Sequence, residues 1–130
     1  MIQVFRNTQA AVLAGGELTF TNTKKRKGCI ATLDSGGINL NAPGIYEIIA
    51  NFSFDATEAG DVTITQQVNG VNSAADTGTV TAAASGIVNI TIPSIVSVDC
   101  CNNGNPLDIS YIVNTAGTLV SANAVVTKIC

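Results

Sequence analysis

The stretch IYEIIANFSF, running from Ile45 to Phe54, places Tyr46, Ile48, Ala50, Phe52 and Phe54 at every second position, with Glu47, Asn51 and Ser53 between them and Ile49 out of pattern. Successive side chains of an extended chain point to opposite faces, so this alternation predicts one long strand with an apolar and a polar face. Pro43-Gly44 comes just before it. Proline presets φ for a turn, and glycine supplies a backbone freedom that a Cβ would forbid. Tyr46 then buries a ring whose hydroxyl needs a partner. Beyond the strand, Gly60-Asp61 marks a turn, and Val62, Ile64 and Val68 alternate with Thr63, Thr65 and Gln67. Asn69-Gly70, which follows, is the strongest hairpin signal in the chain.

Farther out the same reading repeats. Val88, Ile90 and Ile92 alternate with Asn89 and Thr91, and the apolar phase resumes at Val96 and Val98. Pro93, between them, removes a ladder donor and predicts an edge or a bulge. Ile109, Tyr111 and Val113 predict another strand. Val120, Ala122, Ala124 and Val126 predict a last one, which puts the C-terminal segment inside a sheet. Residues 73–85, with Ala82, Ala83 and Ala84 in a row, read as a strand of small residues whose register is weakly specified. Turn signals recur at the short spacing of a sandwich or barrel and divide the chain into about eight to ten strands. Composition agrees, since Val, Ile and Thr number 42 against 20 for Leu, Met, Glu, Gln, Lys and Arg together. Branched side chains fit a pleated surface, whereas the straight-chain helix formers are scarce. With 46% hydrophobic and 12% charged residues the chain is not disordered, and residues 1–130 read as a single all-β domain.

The charge balance narrows the function. Six basic and nine acidic side chains give a net −3, and four of the six cations are Lys24, Lys25, Arg26 and Lys27. The otherwise acidic surface would repel a nucleic acid, which needs Lys and Arg spread along a face. No apolar run approaches the roughly 20 residues of a membrane helix, and the opening MIQVFRNTQAAVLAGG lacks the layout of a secretion signal. Cys29, Cys100, Cys101 and Cys130 allow three pairings among which the sequence does not choose, and free thiols are the expectation for a chain without a signal. Cys100 and Cys101 are adjacent and would point apart on a strand, unlike the spaced pairs of a zinc knuckle, so no metal is expected. Nor is an enzyme expected, because there is no His to serve as general base. Asp55, Glu58 and Asp61, and likewise Asp99, Asp108 and the Asn-rich turn at 102–106, read as solvated turn residues rather than a cation or ligand site. The triplets at Asn51 and Asn89 that match a glycosylation acceptor fall inside predicted strands. No cofactor is implied.

From Asn41-Ala-Pro-Gly-Ile-Tyr through Phe54, the Gly-Asp turn, the alternating strand and Asn69-Gly70, the chain resembles the trimeric jelly rolls of the tumour necrosis factor and complement globular-head superfamily. In that family a Pro-Gly-apolar-Tyr turn opens a long core strand, and Pro43, Gly44, Tyr46 and Ile48 stand where the pattern puts Pro, Gly, Tyr and Phe. Ile48 in place of Phe is a departure. The resemblance spans residues 41–70 of the 130 and implies a two-sheet jelly-roll sandwich that assembles as a homotrimer, each subunit presenting one sheet to its neighbours. Pro43, Gly44, Tyr46, Ile48, Phe52 and Phe54 are then structural residues of the turn and core strand. Strands whose second face is not clearly polar, as at Ile49 and Val125, agree with a need for cover.

Finer features are similar to bacteriophage structural proteins and to Gram-positive surface or exosporium proteins. These are the Asn-Ala-Pro-Gly-Ile-Tyr start, Cys100-Cys101 after a Val-rich strand, and the closing Lys128-Ile129-Cys130. The resemblance implies a non-enzymatic knob, either a virion decoration or head or tail fibre protein that meets the capsid lattice or the host surface, or a bacterial cell-surface or spore-coat knob. A glycan hydrolase would need a paired-carboxylate cleft. The run Lys24, Lys25, Arg26 and Lys27 is expected on an exposed turn or edge. It reads either as a solvated loop or as a contact with an acidic partner: a capsid lattice, an anionic surface polymer or the acidic face of a neighbouring subunit.

Overall fold

The computed structural model describes residues 2–26, 31–34, 36–83, 86–98 and 107–129. Lys27, Asp99 and all four cysteines lie outside the described residues, as does the Asn-rich turn at 102–106. The chain forms β1 (Ile2–Arg6), β2 (Ala10–Val12), β3 (Asn22–Arg26), β4 (Ala31–Asp34), β5 (Gly37–Leu40), β6 (Gly44–Ala56), β7 (Gly60–Val68), β8 (Val71–Ala82), β9 (Ile87–Val98), β10 (Leu107–Val113) and β11 (Gly117–Lys128), with no helix among the described residues. A front sheet has the order β3-β1-β11-β6-β9, with β2 also paired to β11, and a back sheet has the order β4-β5-β10-β7-β8. Every pairing is antiparallel, and from β8 onward the chain alternates between the sheets, which is the path of a jelly-roll sandwich.

β6 is the strand that the alternation predicts. Tyr46, Ile48, Ala50, Phe52, Phe54 and Ala56 all face inward and are buried, and β6 is hydrogen-bonded along almost its whole length to β11 on one side and β9 on the other. Phe52 packs across the sandwich on Tyr111 of β10, with ring centroids 5.0 Å apart, and Phe20 closes the group at 5.8 Å from Phe52 and 6.3 Å from Tyr111. Phe20 and Leu18 come from an irregular segment that is tied to both sheets. Leu18 N–H donates to the Tyr111 carbonyl of the back sheet, while Thr21 N–H donates to the Phe5 carbonyl of the front one. At the hairpin, Asn69 and Gly70 have φ of 52° and 81°, the pair of positive values that a two-residue primed turn requires. Pro93 sits opposite Ile49 without a register shift, and β9 is the edge of its sheet, so the missing N–H is accommodated there.

Two departures from strict alternation matter. β11 carries one extra residue between Leu119, opposite Phe54, and Ser121, opposite Ser53. This bulge flips the phase, so Leu119 is buried and Val120 is not in the core, contrary to the simple reading of that segment. On β8, residues 73–76 stand opposite the single Gln66 between the Thr65–Thr77 and Gln67–Asn72 pairs. The predicted strand of small residues forms as far as Ala82, and Ala84 and Ser85 of that stretch lie outside the described residues. Its close seat on β9 explains the small side chains, because a Cβ at Gly78 would lie 2.6 Å from Ile90 Cγ2.

Replacing Phe52 with Ala is expected to cost about 3–5 kcal/mol in denaturant unfolding, since the buried ring packs on Tyr111 across the sandwich and on Phe20. A Cβ at Gly117 would meet the Asp55 carbonyl oxygen and the Phe54 ring. Gly117→Ala should therefore cost about 1–3 kcal/mol, through backbone displacement, with no cavity to show for it.

Candidate interaction surface

The outward side of β6 is divided into an apolar and a polar half. Toward its start, Ile45 and Ile49 are each 38% exposed, and Ile49 lies between Val125 of β11 and Pro93 of β9. Ile95, opposite Glu47, is 67% exposed. Toward its end the same face carries a hydrogen-bonded ladder across three strands. Asn51 Nδ2 donates to Asn123 Oδ1 at 3.1 Å, Thr91 Oγ1 donates to Asn51 Oδ1 at 2.6 Å, and Ser53 Oγ donates to Asn89 Oδ1 at 2.6 Å. Of the two glycosylation-like positions, Asn51 thus has both ends of its amide bonded, and Asn89 has its Oδ1 bonded.

Around the β9 edge lies an open groove of about 430 Å³, lined by Glu47, Ile49, Asp76, Pro93, Ser94 and Ile95. Its inner end joins a polar cluster in the core. Gln66 is fully buried, and its Oε1 accepts from Tyr111 Oη and from Ser94 Oγ, both at 2.8 Å. Its Nε2 reaches Asp76 Oδ2 at 3.4 Å, and Ser73 Oγ donates to the same oxygen at 2.7 Å. The irregular stretch of β8 aims Asp76 at Gln66, so a line of hydrogen bonds runs from the middle of the sandwich to the groove. No buried side-chain polar atom among the described residues lacks a partner. Burial raises the Tyr111 hydroxyl well above the ordinary phenol range, and the Asp76 carboxylate adds to the rise.

The residues singled out from sequence separate into two places. Gly44 has φ of 149°, a value that suits glycine, and the Tyr46 hydroxyl donates to the Ala42 carbonyl at 2.6 Å, which closes the turn around Pro43. Ile48, Phe52 and Phe54 are in the core. Lys24 and the backbone of Lys25 and Arg26 belong to β3, the opposite edge of the front sheet from β9, and Lys24 is exposed at an irregularity in the pairing with β1. Asp61 Oδ1 accepts from Thr81 Oγ1 at 2.8 Å, whereas Asp55 and Glu58 have no such partner among the described residues. No three of His, Cys, Asp and Glu come together as metal ligands among the described residues. Also among them, no helix is long and apolar enough to cross a membrane. Sequence reading missed Gln66 and Asp76. The signal for Gln66 was a polar residue on the apolar phase of Val62, Ile64 and Val68.

No protein-family model matches this chain, and no curated protein matches it. Its fold is nevertheless shared with solved structures. The globular domain of zebrafish complement 1qA protein superposes with a TM-score of 0.76 at 12% identity, covering 99% of this chain and 96% of that one. Murine APRIL gives 0.68 at 10% identity, with 98% of each chain covered. PRD1 vertex protein P5 gives 0.61 at 18% identity, covering 99% of this chain and 96% of that one. The fold is the jelly roll of the tumour necrosis factor and complement globular-head kind, as the turn and core strand at 41–70 led one to expect.

The raised Tyr111 value means that the fold holds the neutral phenol. The resulting stability is present below the unfolded-state pKa of about 10 and is lost as pH rises above it. In an alkaline titration Tyr111 should therefore ionise only together with loss of the strand circular dichroism. Tyr111→Phe should cost about 1 kcal/mol at neutral pH, for the lost bond to Gln66, and should move alkaline unfolding to higher pH. A Tyr111 tyrosinate band in protein with native dichroism would contradict this.

Proposed function

We propose that this jelly roll is a non-enzymatic structural and binding module that assembles as a homotrimer through the outer face of its front sheet. The observation that carries the reading is the exposed apolar half of that face: Ile45, Ile49, Pro93 and Ile95 with Val125, adjacent on β6, β9 and β11. Isoleucines at outward positions of central and edge strands are costly in a monomer and ordinary in a buried contact. The Asn, Ser and Thr ladder beside them is prealigned, so most of its polar groups would enter an interface already paired.

The place of work is a virion. The likeness to PRD1 vertex protein P5, which covers nearly all of both chains, supports that setting over a bacterial cell or spore surface. There the module serves as a decoration or as the knob of a head or tail fibre, with loops at one end of the sandwich meeting the capsid lattice or the host surface. The basic strand with Lys24, Lys25 and Arg26, and Lys27 after it, contacts an acidic partner, for which the acidic face of a neighbouring subunit is one candidate. Trimerisation multiplies each loop contact by three, and avidity strengthens them. The absence of His from the sequence, which leaves no imidazole to serve as general base, is the feature behind reading the module as non-enzymatic.

Sedimentation equilibrium should return three chain masses for the wild type. Ile49→Asp combined with Ile95→Asp should shift assembly to at least about tenfold higher concentration while leaving the dichroism unchanged. A wild-type protein that stays monomeric at high concentration removes the trimer. Purified particles should contain the chain in multiples of three, and particles that lack it remove the virion role.

A further inference from the structure

The front sheet carries opposite charge on its two edges. On one side is β3, with Lys24 exposed and Lys25 and Arg26 following it in the strand. On the other, the groove around β9 holds Glu47 and Asp76 above an apolar wall of Ile49, Pro93 and Ile95. Neither Lys24 nor Glu47 has an ion-pair partner among the described residues. We infer that the Glu47–Asp76 groove of one copy receives the Lys24 edge strand of a second copy, so that the copies join head to tail.

This rests on the trimer reading and names its polar contact. Three features favour a second copy as the occupant. The groove is continuous with the exposed apolar face, sharing Ile49, Pro93 and Ile95, so covering that face also covers the groove. Covering it would strip water from two carboxylates, which is expensive unless a cation accompanies them, and the basic edge of the same sheet supplies one. A lysine suits the site because its methylene stem can lie on the isoleucines while its ammonium reaches the acids. Strand addition across the β9 edge is discouraged, because Pro93 offers no N–H there and the facing strand is charged. The two edges meet as side chains in a groove rather than as one extended sheet. The halves of the contact are different surfaces, so in a threefold ring each copy gives its basic edge to one neighbour and its groove to the other.

Charge exchange tests this. Glu47→Lys and Lys24→Glu are both at exposed positions, and dichroism confirms that each variant is folded. Each alone should weaken assembly by about tenfold or more at low salt, and the double variant, with the charges exchanged, should recover most of it. High salt should narrow the differences. If either single variant assembles like wild type, or the double variant is no better than the singles, the contact is wrong and the trimer stands. If K24E assembles normally but loses capture on an immobilised polyanion such as polyglutamate, the basic edge serves an external partner and the contact is overturned. A wild type that never leaves the monomer removes the trimer reading and this contact with it.

Discussion

The packing of Phe52 against Tyr111 is the contact on which the rest of the structure depends. It joins the longest strand of the front sheet to a central strand of the back sheet, and Phe20 seals it from a segment that belongs to neither. Rings of this size dominate the apolar area of a small core. The Tyr111 ring also has a polar end, and the chain answers it with a buried Gln, a Ser and, at the rim, an Asp. The core therefore fixes the groove, because moving Tyr111 would displace Gln66, and with it the carboxylate at the β9 edge. Interior packing and surface chemistry are one mechanical unit here.

How much of this was legible depended on whether a residue's neighbours in space are its neighbours along the chain. The strand with Tyr46, Ile48, Phe52 and Phe54 could be read because alternation is local, and the Pro43-Gly44 turn because its φ demand and its Tyr46 hydroxyl bond span only a few residues. Val120 was misplaced because the bulge beside it is decided by pairing with β6, which leaves no mark in β11 itself. Leu18 and Phe20 carry no period, since the segment crosses between layers instead of lying in one. The groove was out of reach for the same reason. Glu47, Asp76 and Ser94 come from three strands, and only the sandwich brings them together. The apolar breaks at Ile49 and Val125 were legible as a face that is not clearly polar, and the structure sets those two side by side.

The edges of the front sheet show how an open sandwich is kept from growing. Pro93 blunts β9, and on β3 the exposed Lys24 interrupts an even pairing with β1. Both devices oppose hydrogen-bonded extension of the sheet by another chain. With backbone addition suppressed, the outer face is left as the surface for the proposed meeting of copies, where side-chain shape and charge would set the contacts.

The pairing of Ile2 with Val126 has a mechanical consequence. β1 and β11 run antiparallel, so the first and last strands leave the barrel-like body from the same end. A force that drew those two ends apart would load the ladder between them one rung at a time, peeling it open, because the rungs lie across the strands and along the pull. Tension entering through one end and leaving through a distant face would instead be shared by many rungs at once. Such a ladder resists shear well and zips open easily.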